Sequence, residues 1–383
     1  MFRTRENDVK QRTGSRLLLL LAAIALVLAS CASSDDDGGG DGGGGGGGGG
    51  DSAATCKGKA GEEDTAEALG KSGDADGAGE KIGMVFDVGG KGDKSFNDSA
   101  FAGLTAAGEN MGVEVKELEP SEDGSNREAL LRQLAEEDYG LIIGVGFAFA
   151  EVMPGVATDF PDTEFAIVDS VVEDAPNVTS IVFAEEEGSY LVGAAAAQAS
   201  KSGTIGFVGG VDTELIKKFE AGYIAGAEQV NPDIEVEVKY ISTGDDFSGF
   251  ADPAAGETTA AGLYEAGADV VYHASGGSGS GVFKAAAAAK RLSIGVDSNQ
   301  YLAATEPQQK CMLTSMLKRV DVSVYETIKN YVGGQKGGEV SAFSLENDGI
   351  GYATQGGQLV DEKELEDFKK QIIDGEIEVP TEP

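Results

Sequence analysis

Short apolar, β-branched runs alternate with alanine-rich amphipathic stretches from about residue 81 onward, and this alternation restricts the fold more than any other feature. Runs of that length predict strands, and the amphipathic stretches predict helices at 95–111, 127–137, 191–200, 215–230, 256–267 and 281–290. Strands that alternate with such helices form parallel sheets covered on both faces. We therefore predict an α/β protein with strands at 81–87, 113–118, 139–146, 163–169, 178–183, 204–210, 234–240, 268–274, 292–297 and 312–317.

The part of the chain that follows residue 80 is long enough for two lobes, since domains of roughly 100 to 150 residues are the commonest. We predict that the first lobe comprises 81–190 and 318–383, and that the second comprises 191–317. Many predicted strands end in Gly, Asp or Ser just before a helix. Because ligands of parallel sheets bind beyond the carboxyl ends of the strands, these loops predict a cleft between the lobes.

The N-terminal region has the features of an export signal that ends in a lipid-attachment site. Arg12 and Arg16 precede the apolar run 17–30, and Leu28-Ala29-Ser30-Cys31 is the pattern at which a bacterial lipoprotein signal is cut. The run is shorter than the roughly 20 residues of a membrane-spanning helix. We predict a signal peptide at 1–30, a lipid on Cys31 and a location at the outer face of the cell membrane; an uncleaved short helix is the alternative.

A low-complexity segment of Ser, Asp, Gly and Ala follows Cys31 and includes the glycine run 42–50. It has almost no large apolar side chain with which to offset the entropy of ordering, so we predict a disordered tether at 31–80. Cys56 and Cys311 remain as the other cysteines. In an oxidising compartment they form either a disulfide or two free thiols, and the sequence does not decide between these.

The chain is strongly acidic, with a formal net charge of −37 that becomes −40 once residues 1–30, with five basic and two acidic residues, are removed. This balance argues against nucleic acid as a partner, because affinity for nucleic acid depends on Lys and Arg near phosphates. It also argues against broad contact with anionic lipid headgroups. The charge favours solubility, and we expect a monomer.

Residues suited to catalysis or metal binding form no recognisable motif. His273 is the one histidine, and we interpret it as structural because the sequence shows no nucleophile beside it. A G-x-S-x-G elbow, a P-loop ending and an EF-hand spacing are all missing from the sequence. We therefore expect a protein that is not an enzyme and that uses neither a metal nor a cofactor.

The most specific segment is FDVGGKGDKSFNDSAFAGL at 86–104. Asp87 ends a predicted strand, and the glycine-rich turn after it lets the backbone approach a ligand. Ser95, Phe96 and Asn97 begin the next helix, where free N–H groups and the serine hydroxyl can face the cleft. Phe96 is either a platform for a flat ligand or a hydrophobic staple against its own helix.

This segment resembles the signature of the basic membrane protein family, the substrate-binding lipoproteins of ABC transporters that include purine-nucleoside receptors. The likeness continues in order over about residues 81–357 through GVGFAF, FAIVDS, NVTSIVFAEEEGSYLVGAAAA, TIGFVGGVDTELIKKFEAGYIAGA, ASGGSGSGVF, IGVDSNQ and LTSMLKRVDVSVYETI. The resemblance implies a two-lobed, type I periplasmic-binding-protein fold with three crossovers. It also implies a nucleoside held between the lobes.

The resemblance assigns base-binding roles to residues of the first lobe. Asp87 would accept hydrogen bonds from the ligand, Phe96 would stack on the base, and Asn97 would contact its polar edge or support the loop. Ser95, Phe147 and Asp169 complete the predicted contacts on this side. Capping of a strand end is the alternative for Asp87 and Asp169.

The sugar and the second face of the base are assigned to residues later in the chain. Asp297 would accept the ribose hydroxyls, and Lys318 would donate to ribose oxygens. Gly276 and Gly277 would approach the sugar through their backbone. The second stacking ring is predicted to be Phe250, with Phe219 and Phe247 as substitutes.

Together these features predict a lipid-anchored extracytoplasmic receptor that captures a nucleoside, with a purine nucleoside favoured, by closing its lobes. The receptor would pass its ligand to a membrane permease driven by a separate ATPase. The alternatives are a sensor or adhesin with the same fold, a surface hydrolase such as a nucleosidase that uses Asp87 or Asp297, and a binding protein for a sugar or another small polar solute.

Overall fold

The computed structural model describes residues 53–64 and 68–383. The predicted signal peptide, Cys31 and the glycine run lie outside these ranges. Within them, the structure has no helix with the length and apolar character needed to cross a membrane.

Strands and helices alternate along most of the described chain, with short 3-10 turns at 147–149, 247–250, 276–278 and 300–303. In chain order the elements are β1 (Lys81–Val85), α1 (Phe96–Met111), β2 (Glu114–Leu118), α2 (Arg127–Glu136), β3 (Leu141–Gly144), α3 (Met153–Asp159), β4 (Glu164–Val168), β5 (Val178–Phe183), α4 (Glu185–Ala199), β6 (Thr204–Asp212), α5 (Glu214–Val230), β7 (Glu235–Thr243), α6 (Pro253–Glu265), β8 (Val270–Ala274), α7 (Gly279–Ala289), β9 (Leu292–Gly295), α8 (Glu306–Gln309), β10 (Met312–Lys318), α9 (Val320–Val332), β11 (Val340–Phe343), β12 (Ile350–Tyr352) and α10 (Glu362–Ile373).

Two six-stranded sheets form the cores of two lobes, in the orders β11-β5-β4-β3-β1-β2 and β12-β10-β9-β8-β6-β7. All strand pairs are parallel except that of β12 with β10. The central strands β3, β4, β8 and β9 are buried at every position, as expected for sheets covered on both faces. This architecture confirms the predicted α/β class with two sheet-and-helix lobes.

The chain crosses between the lobes three times, after β5, after β10 and after β11. The third crossing divides 318–383, which was predicted to form part of the first lobe together with the hinge crossovers. Residues 350–352 pair with β10, and Phe368 of α10 packs edge-on against Tyr190 of α4 at 5.8 Å between ring centroids. The C-terminal elements therefore belong to the second lobe, because β12 completes the edge of its sheet.

The N-terminal segment that precedes β1 is docked on the body, so the predicted disordered tether is wrong for 53–64 and 68–80. Cys56 and Cys311 form a disulfide. The backbone N of Ala54 donates to the Asp269 carboxylate at 2.7 Å, and Gly77 donates to the Met111 carbonyl at 2.9 Å. A covalent bond and hydrogen bonds to both lobes thus supply the stabilisation that the side chains of the segment lack.

Candidate ligand-binding site

A cavity lies where the carboxyl ends of the strands of both lobes meet, and it holds about 550 Å³ of empty space when the open solvent at its mouth is included. Ligands of open parallel sheets bind at this edge of the sheet. The residues that line it are Asp87, Val88, Asp93, Phe96, Asn97, Phe147, Asp169, Leu215, Ile216, Phe219, Phe250, Ala274, Ser275, Gly276, Val296, Asp297 and Lys318. Both lobes contribute, so the cavity is completed only when the lobes are close together.

Most of the residues predicted to contact a ligand line this cavity, but Ser95 and Gly277 do not. Ser95 is fully buried, and its hydroxyl donates to Oδ2 of Asp297 at 2.5 Å, which makes it a contact between the lobes. Gly277 faces the Phe250 carbonyl and Asp93. The structure therefore places Ser95 and Gly277 outside the lining of the cavity, and their contact with a ligand stays a prediction.

The loop between β1 and α1 is held in shape by Asp93, a residue that was not predicted to belong to the site. Its carboxylate accepts hydrogen bonds from the backbone N of Ser95, Asn97 and Asp98 and from the Asn97 side chain, at 2.8 to 3.1 Å. Burial raises the pKa of Asp93 to about 6. An aspartate just before a helix start is a capping signal, and that signal could have identified it from the sequence.

Both polar groups of the Asn97 side chain form hydrogen bonds within the same loop. Its Oδ1 accepts from the backbone N of Asp87 at 2.9 Å, and its Nδ2 donates to Asp93 at 3.0 Å. Of the two predicted roles for Asn97, this geometry favours support of the loop over contact with a ligand edge.

Lys318 is fully buried at the end of β10, among three carboxylates. Its Nζ lies 2.6 Å from Asp169 Oδ2 in the first lobe and 3.1 Å from Glu185 Oε1 at the start of α4. Burial opposes the ammonium charge, but the nearby carboxylates of Asp169, Glu185 and Asp297 together raise the pKa of Lys318 above its ordinary value. Lys318 therefore stays charged, and its pair with Asp169 links the two lobes.

Asp169 and Asp297 occupy equivalent positions, each just after a strand and each with a positive φ, 69° and 64°. Burial raises the pKa of both, for Asp169 to about 7, although Lys318 acts in the opposite direction. In the part of the chain that the structure describes, Oδ1 of Asp169 is buried and has no hydrogen-bond partner. A buried acceptor without a partner is costly, so Asp169 is well placed to accept a hydrogen bond from a ligand.

Aromatic rings enter the cavity from both lobes. Phe96 and Phe147 belong to the first lobe, and Phe250 and Phe219 belong to the second. Phe219 is buried and lies with its centroid 5.5 Å from Nζ of Lys318, whereas Phe96 and Phe250 are only partly buried. Phe250 and Phe96 therefore keep accessible ring surface for a flat ligand, and Phe247 does not line the cavity.

His273 has a serine neighbour, Ser275, that was not predicted. Its ring is buried, with Nδ1 3.2 Å from Ser275 Oγ and Nε2 3.1 Å from Gln300 Oε1. Burial lowers the pKa of His273 to about 4, so the imidazole is neutral at pH 7. Gln300 also donates to the Lys94 carbonyl of the first lobe at 3.0 Å. This arrangement positions the loops of the second lobe.

Two further residues, Glu185 and Arg127, do not line the cavity but pair with charged side chains that do, and they were not predicted. Glu185 begins α4 in an acidic run that suits a helix N-terminus, but its pairing with Lys318, distant in sequence, gives no local signal. Arg127 donates from Nη2 to Asp87 Oδ1 at 3.0 Å. Both residues act through tertiary contacts that spacing along the chain does not reveal.

Comparison with known proteins gives consistent matches over the body of the chain. The family model Bmp, described as ABC transporter substrate-binding protein PnrA-like, matches residues 80–382. A CD4+ T-cell-stimulating antigen of Listeria innocua is 34% identical over 326 residues, which cover 79% of this chain and 88% of the relative. The ABC transporter nucleoside-binding protein BmpA of Lactococcus lactis is 34% identical over 318 residues, covering 79% and 89%.

A solved structure supports the fold independently of these matches. The ABC transporter solute-binding protein of Aeropyrum pernix matches with a TM-score of 0.68 at 30% identity, over 79% of this chain and 93% of that protein. This match confirms the two-lobed type I periplasmic-binding-protein fold that the sequence predicted.

Proposed function

Because the chain belongs to the Bmp family of PnrA-like ABC transporter substrate-binding proteins, we propose that it captures a nucleoside between its lobes and delivers it to a membrane permease. A purine nucleoside is the favoured ligand. The observation that carries this proposal is the cavity itself, where rings from both lobes flank a buried cluster of carboxylates around one ammonium.

The cavity suits a neutral molecule with a flat face and vicinal hydroxyls. Phe96 and Phe250 can stack on the two faces of a base, at about 1 to 3 kcal/mol per stacked base. Asp297 and the unpartnered oxygen of Asp169 can accept hydrogen bonds from ribose hydroxyls, at about 1.5 to 3 kcal/mol for a hydrogen bond to a charged group. Lys318 can donate to ribose oxygens while it holds these carboxylates in place.

Closure of the lobes would couple binding to transport. The contacts that join the lobes surround the cavity and include Ser95 with Asp297, Lys318 with Asp169, and Gln300 with the Lys94 carbonyl. A ligand that touches both lobes favours the closed state over the open one. We propose that the permease recognises this closed state and that the ATP-hydrolysing subunit is a separate protein.

Anchoring belongs to the proposal as well. The basic residues and apolar run before Cys31 support export and acylation, which would place the body at the outer face of the membrane. Labelling of expressing cells with a radioactive fatty acid should mark the wild-type protein, and the Cys31→Ser variant should remain unlabelled and be released. Equal labelling of both would contradict the anchor.

The proposed function is tested by a thermal-shift panel of nucleosides, free bases, sugars and amino acids, followed by calorimetry on the ligands that raise the melting temperature. We expect nucleosides to give the largest shifts. We also expect no free base after incubation of the protein with inosine or adenosine, because the role is binding. A response only to sugars or amino acids would contradict the proposal, and release of free base would make the protein an enzyme.

The charge of the cavity predicts that a nucleoside monophosphate binds at least about 100-fold more weakly than the matching nucleoside. Four aspartates line the cavity, and Lys318 is the one lysine or arginine among the lining residues that the structure describes. A phosphate would meet this net negative charge in a poorly hydrated site. Calorimetric titration of adenosine and its 5′-monophosphate checks this, and similar affinities would contradict it.

Replacing Asp297 by asparagine should weaken nucleoside binding by about 2 kcal/mol, since it removes a charged acceptor for the ribose hydroxyls. The side chain keeps its size and can still contact Ser95. Calorimetry provides the measurement, with Asp233→Asn as the control because Asp233 is an exposed aspartate of the same lobe. Unchanged affinity in the Asp297 variant would show that the ribose lies elsewhere.

A further inference from the structure

Arg127, the first residue of α2, is buried in the first lobe with 8% of its surface exposed. Its Nη2 donates to Oδ1 of Asp87 at 3.0 Å, and its Nη1 donates to the Gly124 carbonyl at 3.3 Å. Asp87 lines the cavity, whereas Arg127 does not. The guanidinium is therefore placed behind a carboxylate that faces the ligand space.

The same guanidinium also contacts the second lobe. Its central carbon lies 5.4 Å from the ring centroid of Phe247, within the range of a cation–π interaction. Phe247 in turn meets Phe147 of the first lobe edge-on, with 5.6 Å between centroids. Because Phe247 belongs to the second lobe, both contacts form only when the lobes are closed.

The charge state of Asp87 depends on this arginine. Burial raises the pKa of Asp87, and Arg127 is the charged group that acts against this effect. Within its own loop, the carboxylate of Asp87 also accepts from the backbone N of Val88, and its main chain bonds with Asn97 and Gly90. An arginine cannot be deprotonated in a protein, so Arg127 opposes the effect of burial and favours the ionised form of Asp87.

We propose that Arg127 is a positioning residue that orients Asp87 as an acceptor for an N–H group of the ligand and that, through Phe247, couples this acceptor to lobe closure. The inference rests on the proposed function, because it takes Asp87 to face the base. It assigns a preference for bases that present a ring N–H or an exocyclic amine to Asp87. A base edge made only of acceptors would be repelled.

The first test compares Arg127→Met and Arg127→Lys with wild type by calorimetry at pH 8 and pH 6, using the nucleoside that binds wild type best. The ratio of variant to wild-type affinity is the readout, because Asp93 and Asp169 also titrate in this range. We expect Arg127→Met to bind about 30-fold more weakly at pH 6 and to lose less at pH 8. Arg127→Lys should recover part of the loss at both values.

Arg132→Met is the matched control, because Arg132 lies on the same helix and pairs at the surface with Glu128 and Asp159. It should bind like wild type. An equal loss at both pH values for Arg127→Met would overturn the proposal, since a merely structural role has that signature. Full affinity in Arg127→Met would overturn it as well. If the wild-type protein binds no nucleoside, the proposed function itself is contradicted. If wild type binds and the variants behave otherwise than expected, only the role of Arg127 is contradicted.

A second measurement tests the coupling to closure. The chain contains no tryptophan, so Phe247→Trp introduces a single indole at the contact with Arg127. We expect the nucleoside to change the tryptophan fluorescence in this protein, and to change it less than half as much once Arg127→Met is added. An identical response at saturating ligand with and without the guanidinium would contradict the link between Arg127 and closure.

Discussion

Replacing Lys318 by methionine is expected to lower the free energy of unfolding by about 3 to 5 kcal/mol at pH 7. The methionine fills most of the space of the lysine stem, but it leaves Asp169, Glu185 and Asp297 without the ammonium that stabilises them. Breaking a buried ion pair costs more than replacing the whole pair, because the remaining charges stay buried. Denaturant unfolding of the unliganded protein measures the loss.

The loss of unfolding free energy caused by Lys318→Met should be smaller at low pH than at high pH. Burial raises the folded-state pKa of Asp169 from 3.8 to about 7, so the folded state binds more protons than the unfolded state between these values. Stability from this group is therefore present at low pH and falls as pH rises from about 4 to 7. Without Lys318 the pKa of Asp169 rises further, and the difference between variant and wild type should shrink toward pH 5.

Two comparisons separate this effect from a general loss of packing. Adding Asp169→Asn to Lys318→Met should restore part of the stability, because one buried charge is removed. Lys284→Met should cost less than about 1 kcal/mol, because the pair of Lys284 with Glu257 is exposed. A deficit for Lys318→Met that is the same at pH 5 and pH 8 would contradict the electrostatic account.

Loss of the disulfide between Cys56 and Cys311 is expected to cost about 4 kcal/mol of unfolding free energy. The bond joins residues that are 255 positions apart, so it removes a large amount of conformational freedom from the unfolded chain. The comparison uses a chain with Cys31→Ser, in which Cys56 and Cys311 are the remaining cysteines. The variant is Cys56→Ser with Cys311→Ser, and denaturant unfolding gives the difference.

Reduction of the parent protein should reproduce the loss seen in the double serine variant. The segment 53–64 should also become more susceptible to proteolysis, because its other anchors on the second lobe are mainly hydrogen bonds such as that of Gly58 to the Lys310 carbonyl. A change in stability below about 1 kcal/mol on loss of the bond would contradict this account.

The sequence predicted the parts of the fold that depend on local pattern. All ten predicted strands are present, because each combines an apolar run or an apolar–polar alternation with a flanking turn signal. The strands β11 and β12 were missed, since VSAF and IGY are short and have little β-branched character. The docking of 53–64 and 68–80 was missed because composition does not show hydrogen bonds to a distant surface.

In the candidate site, too, local sequence pattern predicted some residues, and residues that act through distant contacts were missed. Strand-end residues such as Asp87, Asp169 and Asp297 were predicted to meet at the cleft, and the structure brings them to one cavity. The residues that tune these carboxylates were not predicted: Glu185 and Arg127 reach the site only through tertiary packing. The roles of Asp87, Asp169 and Asp297 at the ligand are proposals that follow from this geometry and from the family.

Capture of a nucleoside between the lobes is tested most directly by a crystal structure of the protein grown with a purine nucleoside. We predict a base between Phe96 and Phe250, with ribose hydroxyls within hydrogen-bond distance of Asp297 and Lys318. A cleft that is empty at saturating nucleoside, or that holds a molecule without a ring and a diol, would contradict it.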